Sequence, residues 1–70
     1  MKFGIIGAGM ISRFHAKAIT DMAGGELISI FSPRIASAEK LASEFGVNAY
    51  DNLDAFLADP ELEIVTIGAP

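Results

Sequence analysis

Lys2-Phe3-Gly4-Ile5-Ile6-Gly7-Ala8-Gly9-Met10-Ile11-Ser12 is the stretch that decides the fold. Ile5 and Ile6 stand side by side in a short apolar run, as in a strand covered on both faces. Gly7 and Gly9 then break the run. Beyond them Ile11, Phe14, His15, Ala18, Ile19 and Met22 recur with the period of one helical stripe. A buried strand, a glycine turn and a helix therefore follow one another within the first 22 positions.

Outward from there the two periods alternate. Ala23-Gly24-Gly25 stops the first helix, and Leu27-Ile28-Ser29-Ile30-Phe31 is a second apolar run. Ser32-Pro33 reads as an N-cap followed by proline in the first turn. Ala38, Leu41, Ala42 and Phe45 form the next helical stripe, which Gly46 ends. Val47 to Tyr50 reads as a brief strand. Asp51 or Asn52 caps a short helix carrying Leu53, Phe56 and Leu57, stopped before Asp59-Pro60. Leu62 to Ile67 is a last buried strand, and Gly68 follows. The order β-α-β-α-β-α-β predicts parallel strands joined by crossovers, an open α/β sheet.

Composition narrows the classes. The chain has 70 residues, 5 basic and 9 acidic, for a net charge of −4. It has no cysteine, which excludes disulfide scaffolds and thiol chemistry. The acidic balance, without a basic cluster, argues against a nucleic-acid surface. No apolar run approaches the roughly 20 residues that span a bilayer, so no membrane partner is expected. Met1-Lys2 leads at once into a run too short for a signal core, and a cytoplasmic location is the expectation. The final strand should lie beside the first with nothing to cover it. The residues are therefore expected to be the front of a longer protein.

The glycine turn carries the chemistry. Gly7-Ala8-Gly9-Met10-Ile11-Ser12 keeps two glycines of a G-x-G-x-x-G fingerprint and puts serine third. In that fingerprint the first glycine makes the turn and the second lets the backbone approach a pyrophosphate. The helix N-terminus then offers unpaired N–H groups to the phosphates. A tight turn that binds nothing is the competing reading. The position after a strand, opening a helix inside a βαβ unit, favours a dinucleotide.

Ser32 stands 25 positions after Gly7, at the end of the second strand. An acidic residue near there accepts hydrogen bonds from the adenosine ribose of NAD, but no Asp or Glu is present. Ser32 and Arg34 suit a 2′-phosphate better and lean towards NADP. Their competing roles are a helix cap and a solvated first-turn cation. His15, the only histidine, is expected to be a packed, hydrogen-bonded core residue. Tyr50 reads as a strand end. Asp51, Asp54, Asp59, Glu61 and Glu63 read as a solvated face.

With these residues in place, the chain resembles the N-terminal segment of the Gfo/Idh/MocA family. The resemblance rests on Gly4 to Ser12, on Phe14-His15-Ala16-Lys17-Ala18 and on Ala38-Glu39-Lys40-Leu41-Ala42. It continues through Glu44-Phe45-Gly46-Val47, Ala49-Tyr50-Asp51-Asn52-Leu53, Leu57-Ala58-Asp59-Pro60 and Ile64 to Pro70. It implies a Rossmann-type doubly wound sheet, of which residues 1–70 are the front part. The rest of that domain, and a C-terminal α+β domain with an open antiparallel sheet, would lie outside the chain.

The resemblance also implies an NAD(P)-dependent oxidoreductase moving hydride to or from a sugar, polyol or related small molecule. A Glu-Lys-Pro lysine and a downstream Asp and His assist that transfer in the family, so no catalytic residue falls here. Cofactor contacts carry over to Gly7, Gly9, Met10 and Ile11, to Ser32 and Arg34, and to Gly68 and Ala69. Family members often place Thr or Ser at the last of these. Dimers or tetramers built through the second domain are implied. The alternative is a dinucleotide-sensing or regulatory protein on the same fold. A flavin protein would place glutamate where Ser32 stands.

Overall fold

The computed structural model describes residues 1–68. Four strands and three helices alternate. They are β1 (Lys2–Ile6), α1 (Met10–Asp21), β2 (Glu26–Phe31), α2 (Ile35–Phe45), β3 (Asn48–Tyr50), α3 (Leu53–Leu57) and β4 (Ile64–Ile67). The strands form one sheet in the order β3-β2-β1-β4. All three pairings are parallel. The chain reverses direction of travel across the sheet at β1, whose neighbours are β2 and β4. In open α/β sheets ligands sit outside the carboxyl ends of the strands at such a switch point.

The strand pleat divides the residues between two faces. Ile5 and Ile30 are register partners with no exposed surface, and they join Ala16, Ile19, Ala38, Leu41 and Ala42 in one buried cluster. This is the face that α1 and α2 cover. Burying an isoleucine of this kind is worth about 1.5–3 kcal/mol. A register shift between Phe3 and Gly4 brings Leu27, an odd number of positions from Ile30, into the same cluster. On the opposite face Phe56 of α3 packs its ring against Phe31, with centroids 6.0 Å apart, and edge-on against Tyr50. It also lies over Gly4, where a Cβ would come within 2.7 Å of Phe56 Cζ.

Several local expectations are corrected. The core side of α1 is Ser12, Ala16 and Ile19. Ile11 and Phe14 are 48% and 70% exposed, and Ala18 and Met22 are exposed too. Small side chains at Ser12 and Ala16 let the helix lie close on the sheet, and the larger ones turn outward. Ser32 is not the N-cap of α2. The helix starts at Ile35, with Arg34 in the cap position. Ser32, just past the end of β2, is tied to β3 instead, because its N–H donates to Tyr50 O at 3.0 Å.

Of the short helix α3 only Phe56 is buried, and Leu53 and Leu57 are exposed. β4 begins at Ile64 rather than Leu62. Other expectations hold. Gly46 closes α2 in the left-handed conformation, with φ of 67°. Asn52 caps α3, its side chain accepting from the Ala55 N–H at 2.9 Å.

Candidate functional site

Because the strands are parallel, the turn after β1, the end of β2 and the end of β4 share one edge of the sheet. Gly7 leaves β1 with φ of 120°, a conformation that a side chain would strain. Its N–H donates to Phe31 O at 2.8 Å, which anchors the turn to the neighbouring strand. Gly9 is the N-cap of α1, with φ of −87° and ψ of −165°. That backbone is open to any residue, and a Cβ built there meets nothing within 4 Å. The fold therefore demands glycine at the first position and not at the second. A group approaching the bare backbone from outside is what the second glycine would serve.

What that group would be is set by the helix start. The first N–H groups of a helix have no partner within it. At α1 these belong to Met10, Ile11 and Ser12. No side chain caps them, and no acidic residue stands in the first turn. The positive end of the helix dipole is therefore open to an anion. The donors and the bare Gly9 fit the pyrophosphate of a dinucleotide.

Ser12, third in the glycine fingerprint, has no exposed surface. Its hydroxyl donates to Gly68 O at 3.3 Å. Gly68 follows β4, and its own N–H donates to Ile6 O at 2.9 Å. A Cβ at Gly68 would come within 3.0 Å of Ser12 Cα. α1 and the end of β4 thus meet at the switch point with only the small Ser12 side chain between them. Ala69, expected as a contact beside Gly68, lies outside the described residues.

The end of β2 is close-knit. Ser32 is buried, and its Oγ accepts from the Arg34 N–H at 3.3 Å, leaving its proton free to be donated. Arg34 is exposed and makes no ion pair among the described residues. Gly7, Gly9, Met10, Ile11, Ser32, Arg34 and Gly68 are thus all on one edge of the sheet.

Four further residues beside this edge were not singled out by the sequence reading. Arg13, Ser37, Lys40 and Glu44 face one another across a cleft of about 400 Å³ between α1 and α2, and Gly9 and Met10 form its rim. The signal was the spacing of Ser37, Lys40 and Glu44, a polar stripe along α2 beside the buried Leu41.

Two other expectations come out as follows. His15 is half-buried, and its Nδ1 is buried without a hydrogen-bond partner among the described residues, so the hydrogen-bonded role expected for it is not met there. Tyr50 donates its hydroxyl to Asp59 Oδ2 at 3.3 Å on the α3 side. Desolvation, followed by the charge and hydrogen bond of Asp59, holds the phenol above its ordinary pKa. Among the described residues there is no cluster of metal-ligating side chains, and no helix is long and apolar enough to cross a membrane.

Residues 1–70 match the sequence model of an oxidoreductase family with an NAD-binding Rossmann fold. Glucose-6-phosphate 3-dehydrogenase of Bacillus subtilis is 36% identical over 64 residues, 91% of this chain and 18% of that protein. Inositol 2-dehydrogenase of Rhizobium meliloti is 33% identical over 70 residues, 100% of this chain and 21% of that one. The crystal structure of myo-inositol dehydrogenase from Lactobacillus casei, in complex with NAD(H) and myo-inositol, superposes with a TM-score of 0.85. It is 27% identical, over 96% of this chain and 21% of that one. The chain thus spans about a fifth of the length of the curated relatives it matches. With a four-stranded parallel sheet, a glycine turn at its switch point and a match over every residue, the chain belongs to the Gfo/Idh/MocA oxidoreductase family.

Proposed function

We propose that this chain is the cofactor-holding front of an NAD(P)-dependent dehydrogenase or reductase that acts on a sugar, a polyol or a related small molecule. The observation that carries the reading is Gly9. Its backbone angles are ordinary and the space beside it is open, so nothing packed within the chain requires the missing side chain, and an incoming ligand gives it a purpose. Gly7 shapes the turn, and the N–H groups of Met10, Ile11 and Ser12 bind the pyrophosphate. Ser32 and Arg34 take the adenosine end, with a preference for NADP over NAD because no carboxylate is there to repel a 2′-phosphate. Gly68 lies towards the nicotinamide side, and Ala69, next in sequence, is assigned a contact with the same end of the cofactor.

The bound nicotinamide supplies the hydride acceptor or donor. This segment contributes binding and orientation, and the proton-transferring side chains and the substrate surface belong to residues beyond it. Residues 1–70 are, on this reading, the first part of a dinucleotide-binding domain that continues into a separate substrate domain. The dehydrogenase names of the relatives support the activity and the polyol or sugar class.

The test is to follow the reduced-nicotinamide absorbance when the intact protein is given NADP or NAD with a panel of inositols, hexoses and sugar phosphates. Cofactor reduction with at least one of them is expected. Tight dinucleotide binding with no turnover on any of them would instead mark a sensor on the same fold.

A further inference from the structure

α1 is apolar on two of its sides. Ser12, Ala16 and Ile19 meet the sheet. A second stripe, Ile11, Phe14, Ala18 and Met22, recurs at helical spacing and is exposed, with 70% of Phe14, 48% of Ile11 and 46% of Met22 accessible. α2 is built differently. Past its first turn its exposed residues are Glu39, Lys40, Ser43 and Glu44, all polar. A helix with one covered side and one side in water has that pattern, whereas α1 has the pattern of a helix covered from two directions.

The second stripe lies on the flank of α1 that faces away from α2. The flank towards α2 is marked by Arg13, whose Nη2 lies 2.9 Å from Glu44 Oε2. Ile11 and Ala18 are on the other side of the helix from Arg13, over the part of the sheet that begins at β4. Thr66 of β4, register partner of the buried Ile5, turns to the same face and is half-buried. α1 and α2 share this face, and α3 is on the opposite one. Right-handed crossovers explain the division, because the chain steps one way across the sheet from β1 to β3 and the other way from β3 to β4. By the same rule any strand added beyond β4 brings its helix to the α3 face. The crossovers of the sheet therefore leave Phe14 uncovered.

We infer that this stripe is the docking surface for a helix of the protein's own chain beyond residue 70, whose apolar side covers Phe14, Ala18 and Met22. The inference rests on the reading of the chain as the front of a two-domain oxidoreductase, and it assigns the place where the second domain is held. The chain spans about a fifth of the length of its curated relatives, so the intact protein has ample chain to supply the helix. Gly68 at the end of β4 is bonded to Ser12 in the first turn of α1, so the main chain leaves the sheet beside the stripe. A segment tethered there acts at an effective concentration on the order of millimolar, far above that of a second copy in dilute solution. Docking on α1 ties the substrate domain to the helix whose first turn faces the pyrophosphate, which gives cofactor and substrate one common reference element.

Two measurements on the intact protein test this. The first is the melting temperature of Phe14→Asp and Phe14→Leu. Under a docked helix, Phe14→Asp should lower it by several degrees and Phe14→Leu should keep most of the wild-type value. An open surface position tolerates both changes. A Phe14→Asp protein that melts like wild type would overturn the inference. The second is photo-crosslinking of Met22→p-benzoylphenylalanine at low protein concentration, read by gel and peptide mass spectrometry. The expected product has the mass of one chain and joins position 22 to a peptide beyond residue 70. A bond between two chains would make a second copy the occupant, and absence of any protein bond would leave the stripe open. Either result overturns the inference.

Cofactor titration of the same protein separates this surface from the reading beneath it. Turnover of a polyol or sugar with NADP or NAD, in a protein whose Phe14→Asp variant melts like wild type, removes the docking surface and leaves the function. A bond within one chain, in a protein that binds neither cofactor, keeps the surface and removes the function.

Discussion

Ser12 donates its hydroxyl to the carbonyl oxygen of Gly68 at 3.3 Å, so the first turn of α1 is tied to the end of β4 across a distance of 56 positions in sequence. The bond is buried, and it lies where β1 and β4 part at the switch point. It holds the open helix start and the strand end at a fixed spacing.

Gly68→Ala is expected to destabilise the fold by about 1–3 kcal/mol, as overpacking does in a filled interior. The new methyl group would press on the Ser12 side chain and come within 3.0 Å of its Cα. Adding Ser12→Gly should recover part of the loss, because the two changes act on one contact. Urea titration of the two single variants and the double variant measures the coupling. Fully additive losses would show that the residues do not touch.

Phe56→Ala should cost about 3–5 kcal/mol, since its ring is wholly buried and a cavity would remain. It is the one side chain of α3 that is buried, so the opposite face of the sheet depends on it. Thermal unfolding reads the loss. A change of a few tenths of a kcal/mol would mean that α3 does not cover the sheet.

Tyr50 gives a pH dependence with a definite sign. Desolvation first, then Asp59, raises its pKa above the ordinary 10.0. The folded chain therefore keeps the phenolic proton to higher pH than the unfolded chain does. Stability from this group is full below pH 10 and is lost as the pH rises through the raised value. Lys2, raised mainly by its hydrogen bond to Glu61, titrates upward of its ordinary 10.5 and adds a loss of the same sign. Denaturant titrations across that range should show a shallower fall for Tyr50→Phe than for wild type. Identical slopes would remove Tyr50 from the explanation.

Much of this arrangement was legible in the sequence. Strand runs such as Gly4-Ile5-Ile6 and Leu27 to Phe31 are apolar on both faces because helices cover both sides of the sheet. The glycine turn was readable from its spacing together with its place between an apolar run and a helical stripe. The face of α1 was not. Apolar periodicity picks out large side chains such as Ile11 and Phe14, whereas close contact with a sheet selects small ones such as Ser12 and Ala16. Ser32-Pro33 has the local chemistry of a helix cap. The hydrogen bond from Ser32 N–H to Tyr50 O ties that residue to β3, and no local pattern reports a bond to a strand 18 positions away. The Arg13–Glu44 pair was hidden for the same reason, as it joins two helices.

The central claim is that the glycine turn binds a dinucleotide pyrophosphate, and the most direct measurement is the affinity of Gly9→Val for NADP and NAD in the intact protein. The backbone at Gly9 suits valine and no atom lies within 4 Å of the added Cβ. The cost to folding should therefore be no more than about 1 kcal/mol of helix capping. The expected result is a folded protein, with circular dichroism like wild type, whose affinity for both cofactors falls by about 100-fold or more, equivalent to about 2.8 kcal/mol. A folded Gly9→Val variant that binds either cofactor as tightly as wild type would contradict the account.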